Sequence, residues 1–198
     1  MPAFVGAVAI AFGAIFIAEF GDKSQLLILA FATRYPWRPV VLGLVLAAAV
    51  IQGISVVIGA AVGAVLPAEL AAIVSGLSFL VVAAWTVLGG DDDEDAEADA
   101  ARSSKPRAGI GLVATVAATF VLAELGDKTM LATFALAASQ GAVANWIGSV
   151  IGEVAANLVA VVVGRQLGTR LSPRAVRIGS AVLFAIAGVL ILAAPLLG

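Results

Sequence analysis

Six long, almost unbroken apolar stretches run through this chain, at about residues 4–33, 40–66, 69–89, 109–138, 142–165 and 175–197. A bilayer core about 30 Å thick is crossed by roughly 20 helical residues, so each stretch is long enough to span it once. The 198-residue chain is 62% hydrophobic and 12% charged, which places it with polytopic membrane proteins rather than soluble domains. The expected fold class is all-α, with six transmembrane helices. The breaks between stretches carry turn and charge signals: Arg34 to Pro39, Leu66-Pro67-Ala68, a charged central segment, Ser139-Gln140-Gly141, and Gly168 to Pro173. The first stretch lacks the basic start of a secretory signal and is read as a retained helix.

Against that background the ionisable residues inside the stretches stand out. Glu19-Phe20-Gly21-Asp22-Lys23 recurs as Glu124-Leu125-Gly126-Asp127-Lys128. Each charge at mid-bilayer costs roughly 2.5–3.5 kcal/mol, so the six in these two pentapeptides represent a gross penalty of about 15–20 kcal/mol. A chain that carries this twice is using the charges.

A shift of 105 residues superposes the pentapeptides and, without a gap, also aligns Gly43 with Gly148, Gly59 with Gly164, Gly63 with Gly168 and Phe79 with Phe184. The chain therefore reads as a duplicated three-helix unit: residues 1–90, an acidic/basic linker at 91–107, and residues 108–198. Three is odd, so the second unit enters the membrane from the opposite side, and the two become inverted repeats whose motifs meet near the midplane. Lysine and arginine outside the motifs fall only in the first, third and fifth connections. By the positive-inside rule those connections face the cytoplasm and both termini lie on the other side. The linker holds seven acids from Asp91 to Asp99 and is expected to be a solvated, disordered connector; gathering cations near a cytoplasmic mouth is the functional alternative.

Residues three and four apart share a helical face, so Glu19, Asp22 and Lys23 are expected to point together, as are Glu124, Asp127 and Lys128. Gly21 and Gly126 would permit close approach of a backbone or ion, or a local break. Four carboxylates and two lysines in one cavity carry a formal charge of −2, which a divalent cation neutralises. With the ion gone, crowded like charges at low dielectric are neutralised by protons, a physical basis for cation/proton exchange. The chain has no cysteine or histidine, so the candidate ligands are hard oxygens suited to manganese, calcium or magnesium.

Around this set, Lys23 and Lys128 would hold the acidic cluster together. Ser24, Thr129 and Gln25 are candidate ligands or supports, though both hydroxyls could instead bond back to helix carbonyls. Ser149, Glu153 and Asn157 share a face; Asn157 aligns with Gln52, but Glu153 aligns with Ala48, so here the halves differ. Glu153 is a candidate proton carrier or extra ligand, or else a structural glutamate bonded to Ser149, Asn157 or an arginine. Gly59-x-x-x-Gly63, Gly148-x-x-x-Gly152 and Gly164-x-x-x-Gly168 are expected to serve close helix packing. Trp37, Trp85 and Trp146 read as interfacial anchors.

The doubled Glu-x-Gly-Asp-Lys-(Ser/Thr), Glu19 to Ser24 and Glu124 to Thr129, resembles the GDT family of cation transporters of bacteria, chloroplasts and the Golgi, within the wider calcium/cation antiporter group. The resemblance covers both motifs, the six-helix layout and the acidic central loop. It implies transport of Mn²⁺ and/or Ca²⁺ in exchange for protons, manganese efflux in bacteria, and metal binding by Glu19, Asp22, Glu124 and Asp127.

The reading is thus a secondary transporter that exports Mn²⁺, or Ca²⁺, from the cytoplasm against protons, in a bacterial plasma membrane. It needs no prosthetic group. Its expected partners are the divalent ion and protons as substrates and the lipid bilayer, with a homo-oligomer left open and no nucleic acid. The rivals are an integral-membrane acid/base enzyme acting on a lipid-linked substrate, which lacks any nucleophile-base set here, and a non-transporting scaffold, which leaves the buried charges unexplained.

Overall fold

The computed structural model describes residues 1–19, 22–88, 109–167 and 173–197. The regular elements among them are all helices: α1 (Pro2–Glu19), α2 (Lys23–Arg34), α3 (Trp37–Val65), α4 (Ala68–Leu88), α5 (Ile110–Glu124), α6 (Lys128–Gln140), α7 (Ala142–Leu167) and α8 (Pro173–Leu197). The linker at 91–107 lies outside the described residues, as do Gly168 and the side chain of Trp85.

The first and fourth apolar stretches are not single helices. Each is divided at its pentapeptide, α1 from α2 and α5 from α6, and α5 and α6 are bent by 77°. Pro2–Glu19, Trp37–Val65, Glu69–Leu88 and Ala142–Val162 are each long and apolar enough to cross a membrane, and the bent α5–α6 pair makes a fifth crossing if counted as one.

α3 shows which solvent the fold is built for. Its exposed positions are large and apolar, Leu42, Leu46, Val50, Ile54, Val57 and Ile58, while its buried face carries glycine, alanine and the polar Gln52 and Ser55. Polar groups inside and bulky hydrocarbon outside reverse the pattern of a water-soluble helix and suit a lipid surround. The protein is a membrane protein.

Packing follows the 105-residue repeat by exchange between halves. α1 lies along α7, and α5, its repeat mate, lies along α3. A Cβ at Gly43 would stand 2.6 Å from the Val116 Cβ and 2.9 Å from the Val113 carbonyl oxygen; at its mate Gly148 it would meet the Val8 carbonyl oxygen and stand 2.8 Å from the Ala11 Cβ. Val8 and Ala11 are themselves the repeat mates of Val113 and Val116, so one close backbone approach is made twice. Gly59 and Gly63 abut the Phe134 and Ala138 carbonyls of α6, and Gly152 abuts Phe12 of α1.

Two cores result. Ala11, Ile15, Phe79, Val82, Ala132, Leu136 and Phe184 join α1, α4, α6 and α8, with the repeat mates Phe79 and Phe184 at 5.8 Å between ring centres. Leu27, Ile28, Phe31, Leu44, Leu112, Val116 and Phe120 join α2, α3 and α5. α3 and α7 pack against each other. On that contact converge the C-terminal ends of α1 and α5, which carry Glu19 and Glu124.

Candidate metal centre

The break in the second motif has a defined cause. α5 ends at Glu124; Leu125 is extended at φ −66°, ψ 112°; Gly126 has φ +85°; and Asp127, extended again, precedes α6. The Asp127 N–H donates to the Glu124 carbonyl at 3.1 Å. An extended second residue followed by one at positive φ is the type II turn, which calls for glycine at that third place. In the first motif the Asp22 N–H donates to the Glu19 carbonyl at the same 3.1 Å, although Phe20 and Gly21 lie outside the described residues. The expectation of one continuous helical face is therefore corrected: each glutamate closes one helix and each lysine opens the next, and in the second motif a type II turn joins them.

Carboxylate oxygens of Glu19, Glu124 and Asp127 lie within 4.8 Å of one another, drawn from both halves. Glu19 is fully buried and Glu124 is 1% exposed. Asp22 is outside this triad: its Oδ2 pairs with the Lys128 Nζ of the other motif at 2.9 Å. That lysine thus forms an ion pair with an acid of the opposite repeat. The side chain of Lys23 lies outside the described residues.

Ser24 donates from Oγ to the Glu19 Oε2 at 2.6 Å, and Thr129 from Oγ1 to the Glu124 Oε2 at 3.5 Å. Both hydroxyls orient a motif glutamate. Asn157 also donates to the Glu19 Oε2, at 3.5 Å, and to the Glu153 carbonyl at 3.1 Å. Glu153, 1% exposed, accepts at Oε2 from the Gln52 Nε2 and lies within electrostatic reach of Glu19, Glu124 and Asp127. Gln25 is half-buried in the first turn of α2. Ser149 accepts from Thr133 Oγ1 at 3.1 Å, so its partner is on α6. Thr133 was not anticipated from sequence, although its spacing of four from Thr129 marks the shared face.

Several buried oxygens here meet no hydrogen-bond donor among the described residues: Glu19 Oε1, Glu124 Oε1, Glu153 Oε1, Gln52 Oε1 and Asn157 Oδ1. Buried acceptors are ordinarily satisfied. Five acids (Glu19, Asp22, Glu124, Asp127, Glu153) against Lys23 and Lys128 give a formal −3. An acceptor-rich, oxygen-only, anionic cluster fits a hard divalent cation, with the ion as cargo.

The profile of the family described as "Divalent cation/proton antiporter GDT1" matches residues 7–94 and 112–196, both motifs included. The chain belongs to the GDT1 family. It is a family of transporters, not enzymes. "GDT1-like protein 1, chloroplastic" of Oryza sativa subsp. japonica is 34% identical over 209 residues, covering 91% of this chain and 60% of the rice protein. A Vibrio cholerae protein named "Putative manganese exporter" is 32% identical over 160 residues, 79% of this chain and 76% of its own. The Synechocystis "GDT1-like protein sll0615" is 31% identical over 188 residues, 85% and 87% of the two chains. The chain thus spans about 60% of the rice GDT1-like protein and more of the two bacterial ones. No solved structure matches it.

Proposed function

We propose that this GDT1-family protein is a secondary transporter that carries Mn²⁺, with Ca²⁺ as the alternative cargo, out of the cytoplasm in exchange for protons. The observation that carries the reading is the meeting of Glu19 from one half with Glu124 and Asp127 from the other within 4.8 Å. Ion and protons compete for the same oxygens, because a cluster of carboxylates in a low-dielectric interior is stable only when one or the other neutralises it. Asp22 belongs to the site through Lys128, whose ammonium it pairs.

The architecture proposed with this function is two inverted three-helix units, 1–90 and 108–198, joined by a cytoplasmic linker, with each broken pair acting as one span. The doubled Gly43/Gly148 contact supports it. Discontinuous helices at a midplane site are the usual way transporters expose backbone and side-chain oxygens to an ion. The basic connections support a topology with both termini on the non-cytoplasmic face, and the name of the Vibrio cholerae relative supports manganese as cargo in a bacterial plasma membrane.

Mn²⁺ flux into proteoliposomes holding the purified chain, driven by a pH gradient, tests the reading. E19Q, E124Q and D127N are each expected to abolish flux, and D22N to do so by releasing Lys128 toward the site. Wild-type rates in all four variants would refute the assignment.

A further inference from the structure

Repeat symmetry is broken beside the acidic cluster, and the break has a chemical direction. Asn157 on α7 reaches the Glu19 carboxylate of the opposite half. By the 105-residue shift its repeat mate is Gln52, on α3, and Glu124 is the mate of Glu19. Instead of donating to Glu124, however, the Gln52 amide nitrogen donates to Glu153, a carboxylate whose own repeat position holds Ala48. Gln52 is fully buried, and its carbonyl Oε1 meets no donor among the described residues.

A primary amide has one donor end and one acceptor end. A carboxylate only accepts, so Glu153 claims the –NH₂ end, and the orientation of this amide follows from its partner. The carbonyl end is then the one left without a donor among the described residues, beside a glutamate within electrostatic reach of Glu19, Glu124 and Asp127. A neutral amide oxygen is a good ligand for a hard divalent ion, whereas an –NH₂ turned the same way would repel it.

Resting on the transport reading above, we propose that Gln52 Oε1 is a neutral ligand of the transported ion beyond the motif acids, and that Glu153 is a positioning residue that fixes the Gln52 amide in its ligating orientation. This gives Glu153 a role other than ligand or proton carrier. It also explains why the extra acid occurs in only one half. Asn157, the repeat mate of Gln52, is tied by its nitrogen to Glu19 and to the Glu153 backbone carbonyl, which already orients that amide.

The test compares E153Q with E153L in the full chain, reading Mn²⁺ affinity from the loss of the free-ion electron paramagnetic resonance signal. Both variants remove the same charge, but only glutamine keeps a side-chain acceptor for Gln52. Expected are binding about tenfold weaker in E153L than in E153Q, the size of one hydrogen bond to a polar partner, a comparable loss in Q52L, and no further loss in the E153L/Q52L double variant. Equal losses in E153Q and E153L, or wild-type affinity in Q52L, overturn the proposal. If E153L does not purify as folded protein, the pair Q52L and E153Q decides: Q52L must lose about tenfold more than E153Q, and the reverse order refutes it. Failure of the site reading itself looks different, since E19Q and E124Q would then bind Mn²⁺ like the wild type, and that result removes this proposal too.

Discussion

Gly126 and Gly148 are both glycines for good reason, but the reasons differ, and substitution separates them. Gly126 sits at φ +85° with nothing within 4 Å of where a Cβ would be, so G126A meets only the conformational cost of the left-handed region, about 1–2 kcal/mol. Gly148 has ordinary helical backbone, but an added Cβ collides with α1, so G148A costs about 1–3 kcal/mol through overpacking. Both variants should lower the thermal unfolding midpoint in detergent. Only G126A should also weaken Mn²⁺ binding strongly, because the turn it strains sets Glu124 against Asp127. An unchanged midpoint in G126A would show that the turn does not need its glycine. The pentapeptide was legible in sequence because buried charge is so costly. The pairing of Asp22 with Lys128 was not, because it joins residues 106 positions apart across two halves, and no local spacing encodes which lysine faces which acid.

At the level of elements, the apolar stretches marked where helices lie, and the 105-residue shift marked which of them correspond. What the stretches concealed was the break inside two of them. Apolar sequence continues on both sides of Glu19 to Ser24 and Glu124 to Thr129, and a count of three and four residues along the motif presupposes the helix that the turn interrupts. The glycine was the only local sign of the interruption. The same shift carries a prediction about packing. Gly43 of α3 against α5 and Gly148 of α7 against α1 make one contact twice, so G43A and G148A should destabilise the protein to similar extents. G6A, at an open position on α1, should leave the midpoint unchanged. A large loss at Gly6, or a loss at only one of the paired glycines, would break the equivalence of the two interfaces.

On the scale of the whole molecule, the two halves share a sequence pattern without sharing every contact. α4 packs closely on α6, where Ser75 Oγ donates to the Ala135 carbonyl at 2.7 Å, but among the described residues their repeat mates α8 and α2 make no comparable contact. An alternating-access cycle built on repeats exchanges such packings between its halves, which yields the opposite-facing state at little net cost. Under the proposed orientation α6 runs from the site toward the non-cytoplasmic side and α2 toward the cytoplasm, so the α4–α6 contact lies on the outward side of the site. The chain has no native cysteine, which allows a direct test. S75C/A135C should crosslink readily in the resting protein and, once crosslinked, block Mn²⁺ flux until reduced. Free flux through a protein locked at S75C/A135C would mean that these helices do not move in transport, and that the difference between the halves is a fixed feature of the fold rather than one frame of a cycle.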